Sequence, residues 1–279
     1  MNNRTLTSKQ YIEYRTYLLE KEMSDVTIHK YLRDIKAFYE FEKELPITKE
    51  KLLLYKKQLQ NQGYAIRSIN SIIASLNSFM GFLGWHEYKM KTLRYQKETY
   101  CDPEKELSKQ EYFRLLKASE KQPRLNMILQ TICSTGIRIS ELKYFTVEAV
   151  QTGKISVQCK CKVRTILIPK QLKKRLLEYA LKRKIKEGYI FQTKSGIPLD
   201  RSNIWKQMKN LCKEAAVQVQ KVFPHNLRKL FARTFYNMEK DIAKLADILG
   251  HGSINTTRIY IMTTGLEHRR KIERLGLLQ

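Results

Sequence analysis

Apolar positions recur at helical spacing through the first ninety residues. In SDVTIHKYLRDIKAFYEFEKE (24–44), Ile28, Tyr31, Leu32, Ile35, Phe38, Tyr39 and Phe41 form such a series, and Ser24 or Asp25 can cap its start. TKEKLLLYKKQLQNQG (48–63) opens on a Thr48 cap and stops at Gly63, a residue suited to the left-handed turn beyond a helix end. AIRSINSIIASLNSFMGFLGW (65–85) is a longer amphipathic run ending near Gly84. With an opening segment around Tyr11 to Leu19, these predict a four-helix module whose outer faces are rich in Lys and Arg. The period then lapses. YKMKTLRYQKETYCDPEKEL (88–107) carries charge, a proline and no apolar face, which predicts an extended linker.

Helical spacing resumes in SKQEYFRLLKAS, capped at Ser108, and in PRLNMILQTICSTG, which Gly136 ends. Between 146 and 170 the period changes: KISVQCKCKVRTILIP alternates and is β-branched, predicting two or three short strands. Helices are expected again at about 170–186, 201–216, 224–238, 241–249, 253–262 and 265–275. The predicted fold class is mainly α with a small antiparallel β-sheet (α+β). Its expected divisions are a helical domain over 1–88, a linker over 89–106 and a second domain over 107–279.

Charge narrows the partners. Fifty-three Lys and Arg against 27 Asp and Glu give a formal net charge of +26, far more than solubility needs. A polyanion accounts for it, because each neutralised phosphate releases condensed counterions. DNA or RNA leads, ahead of an anionic membrane surface. No apolar stretch reaches membrane-spanning length and MNNRTLTSKQ lacks the apolar core of a secretory signal, so a cytoplasmic protein is expected. The five cysteines (101, 133, 159, 161, 212) follow no disulfide framework. Cys159 and Cys161 flank Lys160 too closely for the usual zinc pair and lack a second pair, so no metal is expected.

Several polar residues stand out by context. Arg138 follows a helix-ending glycine in STGIRISEL, and Lys160 lies in the strand region. His225 and Arg228 lie in PHNLRKLF, and His251 and Tyr260 in LGHGSINTTRIYI. Singly, each has an ordinary reading: a surface HxxR pair, an arginine capping a helix or paired with Glu141, a tyrosine anchored in a core. Their order changes the picture. TGxRxSEL, a lysine in a hairpin, HxLR and LGHxxxxTTxxY together resemble the tyrosine recombinase (phage integrase-like) family, most closely its compact Xer-like members, over nearly the whole chain.

That resemblance implies an N-terminal core-binding (SAM-like) domain over 1–88 and a catalytic domain over 107–279 with a C-terminal exchange segment, 262–279. It implies catalytic roles for Arg138, Lys160, His225, Arg228, His251 and Tyr260, and no cofactor. Two guanidinium forks suit the non-bridging oxygens of a phosphodiester. A phenol of pKa near 10 needs a base on attack, here His225. Lys160 would protonate the 5′-oxygen, His251 would donate to the phosphate, and Tyr260 would become a 3′-phosphotyrosine. Glu141 is read as the acceptor holding Arg138. Implied partners are double-stranded DNA with specific core sites, a homotetramer on DNA (monomer or weak dimer when free) and an accessory DNA-bending or directionality protein. Two departures stand. Position 229 is lysine where many relatives have a second histidine, and the hairpin is about one residue short, leaving Lys162 as a rival to Lys160. A type IB topoisomerase and a non-catalytic DNA-binding regulator remain the alternatives.

Overall fold

The computed structural model describes residues 7–41, 46–95, 100–159, 162–263 and 265–276. The chain divides into two compact units between Lys97 and Glu98. Among the described residues the first holds four α-helices: α1 (Ser8–Glu20), α2 (Asp25–Phe41), α3 (Lys49–Asn61) and α4 (Ile66–Phe82). A capping box joins Thr7 and Gln10 at the start of α1, and the Thr48 hydroxyl accepts the Lys51 N–H at the start of α3. The apolar stripes meet in one core that includes Tyr14, Leu32, Phe38, Leu52, Ile73 and Phe79. Tyr14 meets Phe79 edge-on at 4.8 Å between centroids. The expected stripe of α2 holds at Ile28, Leu32, Ile35 and Phe38, whereas Tyr39 faces solvent. Asp34 is buried and balanced by Lys30 at 2.5 Å and the Ser75 hydroxyl at 2.8 Å.

Residues 89–95, at the start of the stretch expected as a linker, form no helix or strand but are tied to α4. Asn77 exchanges two hydrogen bonds with the backbone of Met90 (2.7 and 2.8 Å), and Asn70 does the same with Leu93 (2.8 and 2.9 Å). The two asparagines stand seven apart on α4, on one face over two turns, so their amides satisfy backbone groups of a segment that has no helix or strand of its own.

The second unit contains α5 (Lys109–Ala118), α6 (Pro123–Thr135), α7 (Val147–Thr152), β1 (Lys154–Cys159), β2 (Lys162–Leu167), α8 (Lys170–Lys182) and α9 (Arg201–Asn210). It continues with α10 (Pro224–Glu239), α11 (Ile242–Leu249), α12 (Ile254–Tyr260) and α13 (Gly265–Glu273). β1 and β2 form an antiparallel hairpin in which Lys154 pairs with Leu167 and Cys159 with Lys162. Ser108 caps α5 in a capping box with Glu111.

The helix ends depart from the sequence reading in instructive ways. Residues 147–152 are helical rather than extended, since Thr146 caps them and Gly153 ends them at φ 78°. The helices expected to reach 186 and 216 stop earlier, at Lys182 and Asn210. Lys184 (φ 58°) and Ala216 (φ 51°) turn left-handed, and the following Ile185 and Val217 fold back with their N–H groups on the carbonyls of Ala180 and Cys212. Both apolar residues pack on the core, which offsets the roughly 1 kcal/mol of a non-glycine residue in that conformation. α12 ends at Tyr260, two residues short of the expected 262, and Gly265 opens α13. No helix among the described residues is long and apolar enough to cross a membrane.

Candidate functional site

α6 and α11 both end on a left-handed glycine, Gly136 (φ 64°) and Gly250 (φ 64°). A Cβ on Gly136 would stand 2.4 Å from the Phe231 ring, and one on Gly250 would stand 2.4 Å from Cδ of Arg164, so neither position admits a side chain. Both helices therefore present their C-terminal carbonyls, which carry partial negative charge, to the same place. Arginines fill it. Arg228 on α10 is 1% exposed and donates to the carbonyls of Gly136 and Leu249, the latter at 2.6 Å. Its Nη2 also donates to Nε2 of His251 at 3.1 Å. Burial, then repulsion from Arg138, pushes its guanidinium down to about 10, so it stays charged at neutral pH.

Arg138 begins the 3-10 segment Ile139–Tyr144 directly after the Gly136 turn. Its Nη1 donates to Glu141 Oε1 at 3.1 Å, its backbone N–H to Oε2 at 2.7 Å, and its Nη2 to the Gly250 carbonyl at 3.2 Å. Arg228 thus ties the ends of α6 and α11 together through Gly136 and Leu249, and Arg138 adds a bond to the α11 end at Gly250. Glu141 is 3% exposed and is the acceptor for Arg138 that its spacing suggested.

Tyr260 ends α12, 7% exposed, between two imidazoles. The rings of His225 and His251 each meet it edge-on at 4.9 Å between centroids, and the Arg228 guanidinium carbon lies 6.0 Å from its ring centroid. Tyr260 Oη stands 3.4 Å from His225 Nδ1. Burial first, then Lys229, Arg228 and Arg138, lowers the His225 pKa, so its ring is neutral at pH 7 and able to accept a proton. His251 is pushed down to about 4 by burial and by Arg228, Arg138 and Arg164. Because arginine can only donate, Nε2 of His251 accepts from Arg228, and Nδ1–H then donates to Thr257 Oγ1 at 2.9 Å.

Five of the six residues singled out by sequence, Arg138, His225, Arg228, His251 and Tyr260, therefore meet in one place. Lys160 lies outside the described residues, as does Cys161; its rival Lys162 begins β2. Among the described residues no group of three or more His, Cys, Asp or Glu is arranged to hold a metal ion.

Two residues in or beside the site, Arg164 and Thr257, escaped the sequence reading, and the partner of a third, Lys229, was not foreseen. Arg164 on β2 donates to Glu141 Oε2 at 2.5 Å and to the Ile248 carbonyl. Its signal was legible: Arg164, Ile166 and Ile168 share the inward period of a strand, and a charge at an inward position demands partners. Thr257 is buried and holds His251, but nothing local separates it from Thr256. Lys229, which stands where many relatives have histidine, pairs with Glu106 at 2.8 Å, and Arg233 one turn on pairs with the same carboxylate at 3.0 Å. With Asn226 donating to the Lys105 carbonyl at 2.7 Å, one face of α10 secures residues 105–107 while His225 and Arg228 face Tyr260.

Residues 105–265 match the phage integrase family, and residues 9–87 match the phage integrase N-terminal SAM-like domain. Tyrosine recombinase XerA of Pyrococcus furiosus is 31% identical, covering 100% of this chain and 98% of that protein. Tyrosine recombinase XerD of Halalkalibacterium halodurans is 27% identical over 92% of each. A crystal structure of a lambda integrase tetramer bound to a Holliday junction shares the fold, with a TM-score of 0.73 at 19% identity over 93% of this chain and 78% of that one. The chain belongs to the phage integrase family, as an Xer-like tyrosine recombinase.

Proposed function

We propose that this recombinase cuts and rejoins duplex DNA at specific core sites through a phosphodiester bond to Tyr260. The observation that carries the reading is Tyr260 Oη, 3.4 Å from a neutral His225 Nδ1 and beside a buried guanidinium. Tyr260 Oη attacks the scissile phosphorus and its proton passes to His225. The O5′ bond breaks, and the leaving oxygen takes a proton from Lys160, with Lys162 as the rival donor. The resulting 3′-phosphotyrosine retains the ester, so a second 5′-hydroxyl reverses the step on a new strand without ATP. Arg138 and Arg228 take up the growing charge: of five N–H donors each, two side-chain bonds engage Arg138 and three engage Arg228, leaving three on Arg138 and two on Arg228, one of them the buried Nε. His251 accepts from Arg228 in the free protein; a bound phosphate raises its pKa, and the protonated ring donates.

In this reading four protomers pair two core sites and pass through a Holliday junction. The basic helices of 1–88 and α9, where Trp205 is exposed with Lys209 5.3 Å from its ring centroid, meet the DNA. Segment 262–279 reaches a neighbouring protomer: Ile272 on α13 and Leu275 just beyond its end are exposed, as apolar side chains awaiting a partner require. The work is mobile-element integration or excision, or chromosome dimer resolution, on DNA in the cytoplasm, with an accessory DNA-bending or directionality protein.

A nicked suicide duplex tests the chemistry, using the site that the protein itself selects from a random-sequence library. The wild type should become covalently trapped, and Tyr260→Phe should bind the duplex but not be trapped. Trapping by Tyr260→Phe would refute the assignment. Efficient relaxation of a supercoiled plasmid lacking that site would point instead to a type IB topoisomerase.

A further inference from the structure

Arg138 has two side-chain acceptors, Glu141 and the Gly250 carbonyl, and Arg164 braces both. Arg164 Nη2 lies 2.5 Å from Glu141 Oε2, the oxygen that also accepts the Arg138 backbone N–H. Its Nη1 donates to the Ile248 carbonyl, and its Cδ and Nε pack so closely beneath Gly250 that a Cβ there would sit 2.4 and 2.9 Å away. The Arg164 side chain is 11% exposed, whereas that of Arg138 is 37% exposed. The inner guanidinium thus sets the carboxylate and the turn, and the outer one rests on them.

Charge gives the same arrangement a second consequence. Arg138 and Glu141 alone make a neutral pair, which has little to offer an incoming phosphate. Arg164 shares the buried carboxylate and returns the trio to a net charge of +1. In a site shielded from water that difference acts at short range and is weakly screened.

We infer that Arg164 is a positioning residue for strand cleavage, holding Glu141 and the 248–250 turn so that Arg138 meets the scissile phosphate in one orientation with its charge uncancelled. The inference rests on the proposed role of Arg138. A purely architectural arginine, welding β2 to the end of α11, would show the same contacts, so the test must separate the two.

Single-turnover trapping on the nicked duplex does so, with duplex binding measured in parallel. Arg164→Gln should slow trapping of the bound protein by about 10- to 100-fold, the scale seen when a group that orients a charged ligand is removed, and should change binding by less than about twofold. The decisive comparison is made in the Arg138→Ala background. There Arg164→Gln should slow trapping by less than about threefold further, because residues acting through one another are not additive. Arg164→Lys, which keeps the charge but cannot fork, serves the same cycle if the glutamine variant does not fold. Full additivity with Arg138→Ala, or weakened binding with unchanged trapping of the bound fraction, overturns the inference. Trapping that survives Tyr260→Phe would instead overturn the proposed chemistry, so the two failures are distinct.

Discussion

Arg138 and Arg228 occupy one site in different states, and their substitutions should differ accordingly. Arg138 is partly open and bound through a carboxylate and one carbonyl, so Arg138→Ala should slow trapping by about 10²- to 10³-fold with the melting temperature nearly unchanged. Arg228 satisfies two buried helix-end carbonyls, so Arg228→Ala should also lose about 2–4 kcal/mol of folding stability, visible in urea denaturation. Equal stability of the two variants would show that the carbonyl contacts do not matter. His225 gives a pH test. Its base form is retained to lower pH by burial and by Lys229, so trapping should reach half its plateau below pH 6.5, rising with pH. Lys229→Gln removes one of the cations and should move that midpoint upward; a downward move contradicts the assigned cause. Stability follows the same sign. The folded pKa values of His225 and His251 lie below the unfolded value, so their contribution is complete above about pH 6.5 and is lost as pH falls toward 4.

Among the elements, the glycine-ended helices decide the geometry. Gly136 and Gly153 have similar backbones (φ 64° and 78°), but a Cβ meets Phe231 at the first and nothing within 4 Å at the second. Gly153→Ala should therefore cost only the backbone strain, about 1 kcal/mol, whereas Gly136→Ala adds overpacking and should cost about 2–4 kcal/mol. Denaturation of the two variants side by side checks this, and equal losses would remove the packing argument. Element types were largely readable: the helical periods, the alternating hairpin and the Thr48 and Ser108 caps all reappear. The left-handed turns at Lys184 and Ala216, beyond the ends of α8 and α9, were not readable, because such a turn without glycine is held by the apolar residue that folds back after it.

For the whole molecule, the C-terminal segment carries the prediction. Glu267 and Arg270 of α13 line a cavity of about 910 Å³ within the second unit together with Cys101, Pro103 and Glu106, and Tyr100 meets His268 at 5.3 Å between centroids. If 262–279 exchanges between protomers, deleting 266–279 should leave binding to a single site within about threefold but reduce recombinant product much further, because assembly is what the segment supplies. Unchanged product yield, measured on a two-site plasmid, would rule out exchange in trans.

Local pattern and motif order in the sequence determined the mainly helical fold with its hairpin, the family, and Tyr260 with the four residues, Arg138, His225, Arg228 and His251, that meet around it. Those depend on neighbours along the chain, or on a chemistry that needs particular side chains in a particular order. The tertiary structure alone decided that Arg228 is spent partly on helix-end carbonyls, that His251 accepts rather than donates in the free protein, and that Arg164 lies behind Arg138. The reason is physical: a hydrogen-bond partner 84 or 112 residues away leaves no periodic trace, and only folding establishes which donors remain free.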